Sequence, residues 1–174
     1  MLPVDRAPCM VWLHTLRRKA RSWASLPFFE KVWFAPVWLL LGLSRLALRM
    51  IEFRRLAPLL GQHARNVVVI PLVTESQCAR ARRIGRVVRL AARYTPWVSN
   101  CLPQAVTARL LLGLYRVPYA FYFGLAKDGG EHSPLRAHAW ICAGPVAATG
   151  GNSFREFTVV STFVSPALYP DSMC

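Results

Sequence analysis

Apolar residues recur at helical spacing through the first two thirds of the chain and at strand spacing through the last third. From Thr74 to Tyr94 the pattern is clearest: Ile84, Val87, Val88 and Ala91 fall at i, i+3, i+4 and i+7, and Arg82, Arg83, Arg86, Arg89 and Arg93 occupy the other sides. Thr74 stands where an N-cap belongs. Residues 26 to 61 read as one or two helices, with Pro36 in or near a first turn or kink and with Trp33, Val37, Leu40 and Leu41 on a buried stripe. Leu43, Leu46, Ala47 and Met50 continue at core spacing, and Pro58 and Gly61 close the segment. Trp12 to Trp23 gives a further helix within a basic segment, residues 1 to 24, and residues 66 to 73 give an extended link. A last helix opens at Cys101 and ends near Gly113, because Ser99 and Asn100 are good caps and Pro103 is tolerated only in a first turn.

Beyond that helix the period changes to two. Strands are expected over Tyr119 to Leu125, Ala137 to Ala143, Val146 to Thr149 and Phe157 to Phe163, with turns at Asp128-Gly129-Gly130 and Gly144-Pro145. Helices followed by antiparallel strands give an α+β class. The expected division is an amino-terminal basic helical region over residues 1–73 and a core over residues 74–174.

Two residues in this layout suit nucleophilic chemistry. Cys101 sits at a helix start, where unpaired backbone N–H groups carry partial positive charge, favour a thiolate and can hold an oxyanion. His138 lies 37 residues later, in a strand whose even positions His138, Trp140 and Cys142 share one face. A thiol on a helix and an imidazole on a strand is the arrangement of papain-like and transglutaminase-like sites, in which each group is held by a different rigid element. The ordinary alternatives are a buried small thiol and a satisfied core histidine. Cys142 with His138 and Cys101 has poor spacing for zinc, and no metal or cofactor is expected.

Charge sharpens the division. The chain carries 22 Lys and Arg against 8 Asp and Glu, a net charge of +14. Of the 22 basic residues, 19 precede Val117, so the amino-terminal half is the expected contact surface. Nucleic-acid binding is the runner-up use of those arginines, but they lack a recognisable motif and interleaved aromatics. The five cysteines, Cys9, Cys78, Cys101, Cys142 and Cys174, form no CxxC pair and no even framework, which suits a reducing, cytoplasmic setting. Pro3, Asp5 and Pro8 interrupt any signal-peptide order. The longest uncharged apolar run, Val32 to Ser44, falls short of the roughly 20 residues of a spanning helix, so no transmembrane span is expected.

Several segments together resemble the transglutaminase-like leader peptidases of lasso-peptide biosynthesis, the B proteins. These are a Cys-Leu-x-x-Ala opening to a leucine-rich helix (Cys101 to Leu114), a glycine turn after a strand (Tyr119 to Gly124), Ala-His-Ala-Trp at Ala137 to Trp140, and a closing Thr-Gly-Gly then Phe-Thr-Val-Val segment, Thr149 to Val160. Upstream, Glu52 to Leu56 and Leu59 to Gly61 extend the likeness, which covers roughly residues 25 to 163. The resemblance implies a transglutaminase-like core in which a Cys-bearing helix packs on an antiparallel sheet. It also implies a cysteine peptidase that removes the leader of a ribosomally made precursor and frees the core's amino terminus for a separate ATP-dependent cyclase. Its implied partners are the precursor peptide, a small leader-recognition protein and that cyclase. Family members complete their triad with Asp, whereas Ala148 to Asn152 holds no carboxylate here. Asn152 as an amide, Glu156, or a backbone carbonyl are the three candidates for orienting His138. A scaffold with a decayed site is the alternative to an enzyme.

Overall fold

The computed structural model describes residues 25–127, 134–151 and 153–168. The expected helix Trp12–Trp23, the Asp128–Gly130 turn and Asn152 lie outside them. Helices α1 (Phe28–Met50), α2 (Phe53–Leu60), α3 (Glu75–Ala92) and α4 (Cys101–Leu114) precede most of a five-stranded antiparallel sheet. Its strands are β1 (Gln62–His63), β2 (Ala120–Lys127), β3 (Leu135–Ala143), β4 (Val146–Thr149) and β5 (Thr158–Val164), in the order β1-β5-β2-β3-β4. The class is α+β, with helices on one face of the sheet.

The element starts follow local chemistry. At α3, Thr74 and Gln77 form a reciprocal capping box: the Thr74 N–H donates to Gln77 Oε1 at 2.9 Å and the Gln77 N–H to Thr74 Oγ1 at 3.3 Å. Ile84, Val87, Val88 and Ala91 are fully buried, as their spacing predicts, and the arginines between them are exposed. Gly85 lets α3 approach β4 closely, since a Cβ there would lie 2.2 Å from the Ala148 carbonyl oxygen. Arg89 Nη1 donates to that same carbonyl at 2.9 Å. Burial beside Arg86 and Arg93 lowers the Arg89 pKa, with desolvation the larger cause.

On β3 the side chains separate cleanly. Ala139, Ile141 and Ala143 join the main core, which includes Val37 and Leu41 of α1, Leu60 of α2, Ile84 and Val88 of α3, and Ala105, Ala108 and Leu112 of α4. Trp140 belongs to a second cluster on the other face with Ala120, Tyr122 and Val164, against which Cys142 and Phe157 pack. The main core thus draws residues from before and after Thr74.

Two expectations need correction. Leu43, Leu46 and Met50 are not core: they are 60, 53 and 77% exposed, and α1 turns Glu30, Val37, Leu41 and Ser44 inward instead. Ser44 Oγ pairs with Thr107 Oγ1 at 3.2 Å in the buried interface with α4, and Arg86 Nε lies 3.4 Å from buried Glu30 Oε1, so polar contacts at both ends set the helix's rotation. Before the link of residues 66–73 lies a strand that the sequence pattern did not predict. The strand before α3 is Gln62–His63, paired with Val164 and Phe163 of β5, and residues 66–73 hold no regular element.

Glycine substitutions test the packing. Gly85→Ala is expected to destabilise the fold by about 1–3 kcal/mol, because backbone stands where the methyl would go. Gly113→Ala, with open space around it in the same helical context, is expected to stabilise by up to about 1 kcal/mol. Thermal melts of the two variants should shift in opposite directions.

Candidate active site

Cys101 is the first residue of α4 and is partly buried against the main core. The cap differs from expectation: Asn100 occupies the N-cap with extended backbone, yet its side chain makes no capping bond. The N–H groups of Cys101 and Leu102 therefore meet no capping side chain, and Pro103 has no N–H, so the helix start presents open donors beside the thiol. The loop leading there is braced instead by Thr95 and Gln104. Thr95 Oγ1 lies 2.9 Å from the carbonyls of both Ala92 and Trp97 and 3.0 Å from Ser99 Oγ, and Gln104 Nε2 donates to Ser99 O at 2.7 Å. Trp97, four residues before the cysteine, packs on Trp38 with ring centroids 4.8 Å apart and comes close to Gly42, where a Cβ would meet its ring at 3.0 Å. Its role here is to cover the end of the helix against α1.

His138 stands on β3 opposite Gly124 of β2. Its ring stacks on Trp140 at 5.7 Å and leans on Phe157 at 5.0 Å. Gly124 makes room for this arrangement, because a Cβ there would run into the Trp140 ring at 2.7 Å and the Phe157 Cβ at 2.8 Å. Nε2 of His138 lies 3.3 Å from the Gly150 carbonyl. A neutral imidazole that donates from Nε2 leaves Nδ1 as its basic nitrogen. Gly150 has φ +90, and a side chain there would strike Trp140 Cβ at 2.3 Å and His138 Nε2 at 3.2 Å, so only glycine brings its carbonyl to the ring.

Of the three candidates for orienting His138, the backbone carbonyl is the one that meets it among the described residues. Glu156 is turned away to Arg136, at 3.5 Å, with both side chains exposed. Asn152 lies outside the described residues. The sequence carried the signal for Gly150 only as a glycine pair, which reads as a turn; that its carbonyl faces an imidazole depends on how β4 lies beside β3.

Alternation along β3 sets His138 on the face of the second cluster, whereas Cys101 packs against the main core on the other side. Helix α4 packs on β3, so thiol and imidazole belong to touching elements. Among the described residues, however, no hydrogen bond joins Cys101 to His138, and no group of three or more His, Cys, Asp or Glu is placed to hold a metal.

A transglutaminase-like superfamily model matches residues 47–162, about two thirds of the chain, and spans α2 to β5 with Cys101 and His138 inside it. The chain belongs to the transglutaminase-like superfamily. Neither the curated proteins nor the solved structures compared with it give a match. The transglutaminase-like superfamily includes cysteine peptidases, which fits a thiol at an uncapped helix start beside an antiparallel sheet.

The other two described thiols differ from Cys101 in different ways. Cys78, in the first turn of α3, is buried. Cys142, beneath Tyr122 and Trp140, has its pKa pushed from 9.0 up to about 11 by desolvation. Burial likewise takes Tyr122 to about 12, helped by Cys142 and opposed by the Tyr122 hydroxyl's bond to the Val69 carbonyl. Folding thus favours the protonated thiol. The stability this contributes is complete below pH 9, and it is lost as pH rises through about 11, which denaturant titrations at pH 8 and 11 should register as a fall in midpoint. At pH 8, iodoacetamide should modify Cys101 well before Cys142, and mass spectrometry of the digested protein reads the order.

Proposed function

We propose that this transglutaminase-like protein is a cysteine peptidase that removes the leader from a lasso-peptide precursor. The observation that carries the reading is the thiol of Cys101 at an uncapped helix start inside a transglutaminase-like domain whose β3 holds an imidazole bonded by a carbonyl. The lasso-specific part rests on the resemblance of the Cys101 and Ala-His-Ala-Trp segments to the B proteins.

In this mechanism the Cys101 thiolate attacks the carbonyl carbon at the leader–core junction, forming a C–S bond as the carbonyl becomes an oxyanion. The Cys101 and Leu102 N–H groups donate hydrogen bonds to that oxyanion. His138, protonated when it takes the thiol's proton, returns it to the departing core amine as the C–N bond breaks. Water then attacks the thioester, releasing the leader as a carboxylate and restoring the thiol. Gly150, and Asn152 as the sequence suggests, hold the ring while this happens. Cys101 and His138 pack on opposite faces of the sheet, so this mechanism requires the start of α4 and β3 to shift on substrate binding before the proton can pass between them.

A leader-recognition protein delivers the precursor in this scheme, in the cytoplasm and without nucleic acid, and the cyclase takes the freed amine. The arginines of α3 are suited to an acidic partner face through forked bonds. Arg82, Arg83 and Arg93 are the useful ones, since Arg86 is committed to Glu30 and Arg89 to Ala148. Charge reversal at those three is expected to weaken capture of the partner-bound precursor while leaving Cys101 alkylation unchanged.

The absence of a direct Cys101–His138 bond favours a second reading, a scaffold with no peptidase activity. Purified protein, precursor and recognition protein decide between them. Cys101→Ala and His138→Ala should each abolish leader removal with circular dichroism matched to wild type, whereas cleavage by Cys101→Ala at the wild-type rate removes the enzyme. Gly150→Ala should slow turnover by at least about tenfold through misplacement of the ring, and Asn152→Ala by more than Glu156→Ala.

A further inference from the structure

Helix α1 is apolar on two opposite sides, and only one of them is buried. Glu30, Val37, Leu41 and Ser44 face inward. Phe28, Val32, Leu39, Leu43, Leu46 and Met50 are each between 51 and 81% exposed. At about 100° per residue these six fall within an arc of about 60°, opposite the buried residues. The stripe therefore runs the full length of a 23-residue helix, about 34 Å, without a polar side chain in it. Beside it, α2 exposes Phe53 and Leu59 and α4 exposes Leu110 and Leu114. Between the three helices opens an apolar slot of about 190 Å³, walled by Leu40, Leu43, Leu56, Leu59, Leu102 and Leu110. Contiguous apolar exposure on this scale marks a surface that something covers.

Charge says what covers it. At the stripe's carboxy-terminal end stand three exposed cations, Arg49, Arg54 and Arg55, against one exposed carboxylate, Glu52. The whole chain is at +14. An apolar ridge with a cationic border and no polar side chain along its crest fits a surface that is fluid, apolar beneath and anionic on top. A protein partner would need shaped pockets and paired polar groups along the same line. The most apolar 18-residue window of α1 has a mean hydropathy of 1.4, yet α1 is held to α3 and α4 through Glu30, Val37, Leu41 and Ser44, so it lies along the domain's surface and presents its outer side.

We propose that α1 and α2 seat this protein on an anionic phospholipid surface: the stripe from Phe28 to Met50 enters the headgroup boundary, the slot beside it takes an acyl chain, and Arg49, Arg54 and Arg55 meet lipid phosphates. This is peripheral attachment through one helix face. It is independent of the peptidase chemistry.

Vesicle co-sedimentation of the full-length protein tests it. With phosphatidylcholine vesicles containing one third phosphatidylglycerol, the protein should pellet at least about tenfold more than with phosphatidylcholine alone. The preference should shrink as salt rises to 1 M and the screening length falls to about 3 Å. Leu39→Glu with Leu46→Glu, at exposed positions where the fold is indifferent, should reduce partition at least about tenfold, and Arg49→Glu, Arg54→Glu and Arg55→Glu together should erase the preference for anionic lipid. Recovery of the wild type in the supernatant with both vesicle types overturns the proposal. So does a dimer in light scattering that Leu39→Glu and Leu46→Glu convert to monomer, since that result assigns the stripe to a second copy of the chain.

Discussion

The contact between Gly85 of α3 and the Ala148 carbonyl of β4 is the constraint on which the rest of the structure hangs. No other residue at 85 would let the helix come this close, and Arg89, one turn on, bonds the same carbonyl. The contact presses β4 against β3 and fixes where the chain emerges from β4. Two residues later the chain reaches Gly150, whose left-handed backbone turns a carbonyl onto His138. A packing requirement in the helical layer is thereby transmitted to the orientation of an imidazole on the far face of the sheet. A methyl group added at either glycine would act at the same site from opposite directions.

The sheet divides the molecule chemically. On its helix-facing side, β3 and β4 carry small and branched residues, Ala139, Ile141, Ala143 and Ala148, that allow α3 and α4 to lie close, beside Phe121 and Phe163 of β2 and β5. Its other side is aromatic: Tyr122 stacks on Trp140 at 5.4 Å, and His138 is held between Trp140 and Phe157. That environment immobilises the imidazole and suppresses ionisation of Tyr122 and Cys142 by burial. The thiol at the start of α4 belongs to the other layer, where open N–H groups and partial exposure leave it available. Of the described thiols, Cys78 is thus buried and Cys142 is held in its protonated form, while Cys101 combines partial exposure with a helix start.

Much of this was legible in the sequence. The 3.6-residue period of Ile84, Val87, Val88 and Ala91, the cap at Thr74 and the helix start at Cys101 are local properties, fixed by side chains within one turn of each other. Four of the five strands followed from a period of two and from glycine and proline between the runs, with the limits of Val146–Thr149 matched and the ends of the other three off by up to two residues. The transglutaminase-like family was likewise readable, because its signature residues lie in short contiguous segments.

What the sequence left open are matters of rotation, register and distance. Leu43, Leu46 and Met50 have core spacing, but α1 holds more apolar residues than one interface can cover, and only the buried Ser44–Thr107 and Glu30–Arg86 contacts decide which side turns inward. Asn100 has the right side chain for a cap, yet Thr95 and Gln104 order that loop and leave the cap unmade. The partner of His138 could not be chosen from composition, since a backbone carbonyl has no residue identity to read; the lie of β4 beside β3 brought Gly150 to it. Periodicity and caps act over one turn of chain and are written in order along it. Which face is buried, and which atom meets which, is set by contacts between separate elements, from 12 positions apart for His138 and Gly150 to 63 for Ser44 and Thr107, and those exist only once the layers have closed.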